Sequence, residues 1–296
     1  MRVRASRTTS LLALVALSAA GVGAVSGCGS EKEANPQVEQ AAQRARQVAS
    51  AWDGSQAAAL WRAGYHPVEQ AVQLPRGGLH NKADKRAYQT RNFVLRGDLP
   101  ATGPKNGQVA WASGKSLTQP LIAANAAYKT LAQARVDGPH LAVTGARLGS
   151  MTLATTRGPA TVPAWLFTLQ GYTSPLKRAA VSPSSSPRSP IKAAHDLPDS
   201  QLAPLGRLVR LAADRRSLTV VAYHGACDDG PSVKVLETEG SVVLSASIQN
   251  PDESNCTAQK REQQVTVELD RPMGNRILLD AYTGGPVVHR EAPGQD

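Results

Sequence analysis

The chain has 296 residues, 41% of them apolar, and a formal charge of +10. That apolar share is enough for a core and excludes an intrinsically disordered polymer. The basic residues are spread along the chain, with a loose concentration at Lys82, Lys85, Arg86, Arg91 and Arg96. They read as a solvated surface with weak attraction for envelope polymers or lipid headgroups, and nucleic acid is not expected as a partner. Aromatic content is only 4% and leans on Trp52, Trp61, Trp111 and Trp165.

The N-terminus carries Arg2, Arg4 and Arg7, then an apolar stretch of 15 residues from Leu11 to Val25, then small residues leading to Cys28. This is the layout of a secretory signal peptide. A membrane-spanning helix needs roughly 18 or more apolar residues, and no second stretch of this length and apolarity follows. The run Val25-Ser26-Gly27-Cys28 resembles the lipobox of bacterial lipoproteins. The resemblance implies that Cys28 receives a diacylglyceryl group and that the chain is cut just before it. The new N-terminus would then be acylated, for example with palmitate. At about 0.8 kcal/mol per buried methylene, two or more chains anchor a protein far better than one. Residues 1–27 are therefore expected as signal peptide and 28–35 as a lipidated tether. The mature body, with a charge of +7 once the three leader arginines are gone, would hang from the outer face of the cytoplasmic membrane.

Pro36 suits the first turn of a helix. Val38, Ala41, Ala42, Ala45, Val48, Ala49 and Trp52 then follow at three- and four-residue spacing, which predicts a helix to Trp52. Asp53-Gly54-Ser55 ends it, and Ser55 is placed to cap a short second helix carrying Leu60 and Trp61. Residues 71–79 read as loop. Strands are predicted at 92–96 and 108–112, a helix over 120–134, and strands at 141–148, 151–155 and 164–172, with Arg157-Gly158-Pro159 as a turn. This gives an α+β domain over 36–180, N-terminal helices with an antiparallel sheet.

Residues 181–202 are rich in proline and serine, with Ser182 to Pro190 reading Ser-Pro-Ser-Ser-Ser-Pro-Arg-Ser-Pro. They are expected as a linker or disordered loop. A small, mainly β unit follows over 203–290, with a tail at 291–296. Its predicted strands are 217–223, 233–238, 241–249, 264–270 and 276–282. Cys227 and Cys256, 29 positions apart, are the two cysteines left once Cys28 is lipidated. A disulfide between them suits an oxidising compartment, and the chain-entropy model gives such a loop about 3 to 4 kcal/mol of stabilisation. In an up-down-up meander the first and third strands of this unit end at one edge, so both cysteines would fall there.

Chemical motifs are weak. Gly114-Lys115-Ser116 matches the end of a phosphate-binding loop, but Val109 stands where that motif needs glycine. Ser174-Pro175-Leu176-Lys177 has the S-x-x-K spacing of serine enzymes acting on cell-wall peptides, without the companion motifs. No catalytic residue is assigned. His66, His80, His140, His195, His224 and His289 are scattered and read as surface or capping residues. Asp228 and Asp229 follow one cysteine of the expected pair, and Asp252 and Glu253 precede the other. A disulfide would gather these carboxylates, an oxygen set of the kind calcium takes. Their alternative reading is as ordinary turn residues. No other cofactor is expected.

Two further stretches, Thr156-Arg157-Gly158-Pro159-Ala160-Thr161-Val162-Pro163-Ala164-Trp165 and Leu269-Asp270-Arg271-Pro272-Met273-Gly274-Asn275-Arg276, resemble segments of secreted lipoproteins of high-GC actinobacteria. The resemblance covers most of the mature chain and brings no assigned activity with it. The functional expectation is a membrane-anchored extracytoplasmic lipoprotein that binds an envelope protein, a wall polymer or a small ligand without catalysing a reaction. The alternative is a secreted hydrolase whose residues meet only in the fold.

Overall fold

Two helices open the described part of the chain. α1 (Pro36–Trp52) follows the apolar stripe read from sequence, with Ala41, Ala45, Val48, Ala49 and Trp52 buried. α2 (Gln56–Ala63) is capped by Ser55, whose hydroxyl accepts from the Ala58 N–H at 3.1 Å. The computed structural model describes residues 36–132, 137–251 and 259–289; Cys28 and the expected signal peptide and tether lie outside them. From Asn35 onward the contacts group the chain as one unit.

The first sheet is assembled from β1 (Val72–Gln73), β2 (Phe93–Leu95), β3 (Asn106–Trp111), β4 (Ser116–Pro120), β5 (Leu141–Thr155), β6 (Gly158–Leu169) and β7 (Leu176–Ala179). Its backbone order is β1-β7-β6-β3-β4, with β5 also on β6 and β2 on β5; the β2–β5 pair is parallel and the rest antiparallel. Two short helices, α3 (Lys82–Gln89) and α4 (Ala124–Leu131), pack on the sheet face that presents Trp165, Phe167 and Leu169. The opposite face buries Tyr65, Trp111, Met151 and Leu153.

Several elements differ from expectation for local reasons. The strands expected at 141–148 and 151–155 are one strand of 15 residues, because Gly149 and Ser150 stay in the ladder opposite Ala164 and Pro163. The turn into β6 is the pair Thr156-Arg157, with Gly158 at φ +95°, a conformation glycine adopts without strain. Helix α3, missing from the sequence reading, buries only Ala87 and so shows no apolar stripe; its signal is the Asn81 cap, which accepts from the Asp84 N–H at 2.9 Å. The helix expected over 120–134 begins only at Ala124, since Ser116–Pro120 is strand β4.

The remainder is two three-stranded sheets. β8 (Leu208–Leu211), β9 (Ser217–Gly225) and β12 (Lys260–Glu268) form one, in the order β12-β9-β8. β10 (Gly230–Glu237), β11 (Ser241–Gln249) and β13 (Ile277–Asp280) form the other, with β11 and β13 parallel. The expected meander is therefore corrected: β9 and β10 do not pair with each other but lie in different sheets. Each finds a longer antiparallel partner, β12 for β9 and β11 for β10. At the coarse level the chain is α+β and mostly β, with few helices and several sheets.

Both faces of β11 are buried. Val242, Leu244 and Ala246 face the core shared with Leu218, Val220 and Val267. Val243, with Ile277 and Leu279 of β13, faces α1 and α2, where Val48, Trp52 and Trp61 cover it. Trp52 is fully buried and its indole N–H donates to the Gly284 carbonyl at 2.6 Å. Residues 181–202 have no helix or named strand, yet they are tied down: Ser189 Oγ donates to the Gly284 carbonyl, and Ile191, Ala194 and Leu197 pack beside α1 and α2. The N-terminal helices, this segment and the C-terminal sheet thus share one apolar cluster.

Two predictions follow from this packing. Trp52→Ala removes a buried ring and a hydrogen bond, so it should cost about 3–5 kcal/mol in urea unfolding. The loss should appear in a single transition that also melts the β10-β11-β13 sheet. The second concerns the Glu237–Arg276 ion pair, whose side chains are only 13% and 7% exposed. Burial pulls the Glu237 carboxyl up, but Arg276 and the Asp270 N–H outweigh it and hold it below its ordinary 4.5. A lowered folded-state pKa means stability present above 4.5 that is lost as pH falls through the folded value. Glu237→Gln should therefore lose stability at neutral pH and show a shallower acid limb than the unmodified protein.

Candidate functional site

The residue after α2 begins the site. Gly64 ends that helix, and a Cβ placed there would stand 2.5 Å from His66 Nε2 and 3.0 Å from the Ser184 Cβ. Only a glycine lets these two side chains close over the helix end. His66 is 5% exposed and stacks on Trp61 with ring centroids 3.5 Å apart and planes 8° from parallel. Its Nε2 lies 3.1 Å from the Trp61 carbonyl, an acceptor, so Nε2 carries the proton. Burial pushes its pKa down from 6.5 to about 4; the Arg157 cation adds to this and the Trp61 carbonyl opposes it. The imidazole is accordingly neutral at physiological pH.

His66 borders an apolar cavity of about 240 Å³. One wall is Trp61, Pro67 and Val68; the other is Leu208, Leu211 and Leu218 with Met273, Leu278 and Val287. Sheet pairing fixes the first wall. The His66 carbonyl accepts from the Thr156 N–H, and the Val68 N–H donates to the Ala154 carbonyl, so residues 66–68 run along the end of β5. Ser184 closes a third side: its N–H donates to the Tyr65 carbonyl, and its Oγ accepts from the Tyr65 N–H and from Gln119 Nε2. Ser184, Ser186, Thr156, Arg215 and His289 bring polar groups to the lining. At about 240 Å³ the space exceeds the ~150 Å³ apolar void known to take up benzene.

A wider cleft of about 980 Å³ lies against it, and Thr156 and Arg215 line both. Arg62, Lys115, Arg157 and Arg215 line this cleft, and no carboxylate does among the described residues. None of the four forms an ion pair among the described residues. Backbone carbonyls hold the guanidinium groups instead. Arg62 donates to Asn275 and Gly240 at 3.2 and 2.8 Å, and Arg157 donates to Ala63 at 3.0 Å while lying 3.8 Å above the Trp111 ring. Arg215 donates to Thr155, Thr156 and Gly274 at 3.4, 3.3 and 3.1 Å. Arg215 also sits at φ +58°, a left-handed conformation unusual for a residue with a side chain. Burial lowers its pKa from the ordinary arginine value.

Of the residues singled out from sequence, His66, His289, Lys115 and Ser116 line the cavity or the cleft, and most others fall elsewhere. Asp228 Oδ2 accepts from the Gly225 N–H at 2.5 Å, and Asp229 Oδ2 accepts from Asn250 Nδ2 at 2.7 Å. Asp252, Glu253 and Cys256 lie outside the described residues, so the structure neither gathers nor separates the expected calcium set. Among the described residues no group of three or more His, Cys, Asp or Glu is placed to hold a metal. Cys227 stands in the β9–β10 turn and is not a free thiol. Ser174 Oγ accepts from the Arg76 N–H and Lys177 belongs to β7, so no helix returns that lysine to the serine. Lys115 and Ser116 carry a phosphate-loop spacing; the segment is a β-hairpin turn, yet both residues line the basic cleft. His66, expected as a surface or capping residue, is buried at the cavity and bonds the Trp61 carbonyl in the last turn of α2. His80 and His195 instead contact Tyr172 and Tyr282.

The sequence does not mark the remaining residues as one site, since they come from segments far apart in the chain. Comparison with protein-family models, with curated proteins and with solved structures finds no match to the chain.

A pH titration tests the placement of His66. Its folded pKa of about 4 lies below its ordinary 6.5, so between these values the unfolded chain binds more protons. Stability from this group is whole above pH ~6.5 and declines as pH falls toward ~4. His66→Phe should remove that part of the slope, measured by urea midpoints across the range. Gly64→Ala should displace His66 and lower stability by about 1–3 kcal/mol.

Proposed function

We propose that the mature chain is a lipid-anchored extracytoplasmic protein that binds a small ligand with an apolar part and does not transform it. The observation that carries this reading is the cavity at Trp61 and His66, apolar on its main walls with a few convergent polar groups. That is the usual composition of a ligand site. The anchor is Cys28, supported by the arginine-led apolar segment and the Val25-Ser26-Gly27-Cys28 run. No helix among the described residues is long and apolar enough to cross a membrane.

A Cys227–Cys256 bridge belongs to the same reading. Its support now comes from β9 and β12 in place of a meander. Gly225 pairs with Lys260, so Cys227 follows and Cys256 precedes the same end of that antiparallel pair. Residues 181–202 act as a cover on the body, since Ser184 bonds Tyr65 at the cavity.

A hydrolase remains the second reading because Ser184 and His66 both approach Gly64. The chemistry favours binding. A general base works best with a pKa near the ambient pH, whereas His66 is pushed to about 4, with its Nε2 proton committed to Trp61. The charge acting on the imidazole is the Arg157 cation, opposite in sign to the carboxylate that orients a catalytic histidine.

Intact mass and solvent extraction of the protein purified from its own membrane test the proposal. The expected result is acyl mass at Cys28, two further thiols appearing only on reduction, and a low-molecular-weight compound released on denaturation. Ser186→Trp, at an exposed position on the cavity lining, should abolish that co-purification while leaving the melting temperature within about 2 °C, since exposed substitutions rarely exceed ±0.5 kcal/mol. An unlipidated chain in the medium would refute the anchor. Turnover of short-chain esters that disappears in Ser184→Ala would favour the hydrolase.

A further inference from the structure

We infer that the apolar cavity and the basic cleft are two halves of one site, and that its ligand is a small anionic amphiphile. The acidic head lies among Arg62, Lys115, Arg157 and Arg215, and the apolar tail passes Thr156 into the cavity. The inference rests on the cavity being a ligand site, as proposed above, and adds the chemistry of the other end of the ligand.

Contiguity is the first support. Thr156 and Arg215 belong to both linings, so the two spaces adjoin at these residues. The second is charge. Four cations share a cleft lined by no carboxylate, and none has an ionic partner among the described residues. Like charges gathered without counter-ions repel one another, and an anion placed between them relieves all the repulsions together. On a solvated face, arginines are usually interspersed with acids, as Arg271 is with Glu239 and Arg207 with Glu262 elsewhere in this chain.

Pre-organisation is the third support. Arginine has five N–H donors in a planar fork. Arg62 spends two on Asn275 and Gly240, and Arg157 spends one on Ala63 while Trp111 holds its plane. The remaining donors are thus held in place before any ligand arrives, which favours planar or tetrahedral oxyanions. Arg215 holds its left-handed backbone in the β8–β9 turn while its guanidinium spans Thr155, Thr156 and Gly274. Strain of this kind persists where the surroundings over-determine it, and it collects at ligand sites.

Neither half alone accounts for the arrangement. A free polyanion would use the cleft and leave the cavity unused, and a neutral apolar compound would do the reverse. An alkyl phosphate or an alkanoate uses both.

Calorimetric titration of the lipid-anchored protein in zwitterionic nanodiscs decides the matter, with octyl phosphate, octanoate, octanol, inorganic phosphate and polyphosphate as probes. Octyl phosphate or octanoate should bind at least tenfold more tightly than octanol and than inorganic phosphate. The stronger of the two acids identifies the head group, and either one supports the inference. Lys115→Glu, at an exposed turn position, should weaken the acidic probe at least tenfold and leave octanol unchanged. Ser186→Trp should weaken both octyl probes and leave inorganic phosphate unchanged. Equal binding of octanol and the octyl acids would overturn the anionic head while leaving the cavity as a site. Binding of phosphate or polyphosphate as tight as octyl phosphate would make the cleft a separate polyanion surface. No binding of any octyl probe would overturn both this inference and the cavity reading on which it rests.

Discussion

Strand β11 has to be covered on both faces. Its run Ser241-Val242-Val243-Leu244-Ser245-Ala246 is buried almost without interruption. Leaving the first face open would expose Val242 and Leu244, and leaving the second open would expose Val243 with Ile277 and Leu279 of its partner β13, each worth about 1.5–3 kcal/mol of burial. On one side the β12-β9-β8 sheet supplies Leu218, Val220 and Val267. On the other, the chain brings α1 and α2 from its far N-terminal end, with Trp52 fastened to Gly284. That second cover commits the route of the rest. α2 must end beside the C-terminal sheets, so residues 64–68 are delivered to the end of β5, and the β5–β6 turn comes to lie against the β8–β9 turn.

The cavity and the cleft occupy that junction. The elements meeting there end in turns, and turns offer free carbonyls. Thr155, Thr156 and Gly274 present theirs to Arg215, while Ala63 presents its own to Arg157. Guanidinium groups that bond to carbonyls keep their charge, and no acid in the lining cancels it. Behind them the apolar side chains of β8, β9 and β13 stop short of Trp61 and His66, and the gap between them is the cavity. Electropositive rim and apolar interior thus have one cause, the way strand ends abut without interlocking.

Local structure was readable where a side-chain pattern enforced it. The three- and four-residue spacing of α1 and the Ser55 cap of α2 mark helices whose apolar stripes are their means of docking. Where docking is slight the signal fails: α3 buries Ala87 alone and was invisible apart from its cap. Strand partners were less legible still. The alternation of β12 and the apolar run of β11 announce strands, but nothing in them says that β9 should pair with β12, across the 34 residues 226–259, in place of the adjacent β10. Pairing is chosen by how whole faces are buried, which is a property of all the strands together.

Of the candidate site, Lys115 and Ser116 stand out in the sequence for a motif the chain does not form, while Trp61, His66 and Arg157 read there only as parts of a helix, a surface or cap, and a turn. Gly64, His66, Arg157 and Arg215 each look unremarkable in sequence because the features that matter lie between segments: a carbonyl that accepts from one imidazole nitrogen, a neighbour that would clash with a Cβ, a charge without an ion pair among the described residues. By itself the sequence determined the helical stripe of α1, the cap of α2, the presence of strands with turns between them, and the composition of a folded body, since propensity, periodicity and capping act within a few residues. Tertiary structure alone decided the partners of β9 and β10, the burial of His66 and the adjacency of an apolar cavity and a basic cleft. Those outcomes depend on which distant surfaces exclude water together, and no local stretch of chain contains that information.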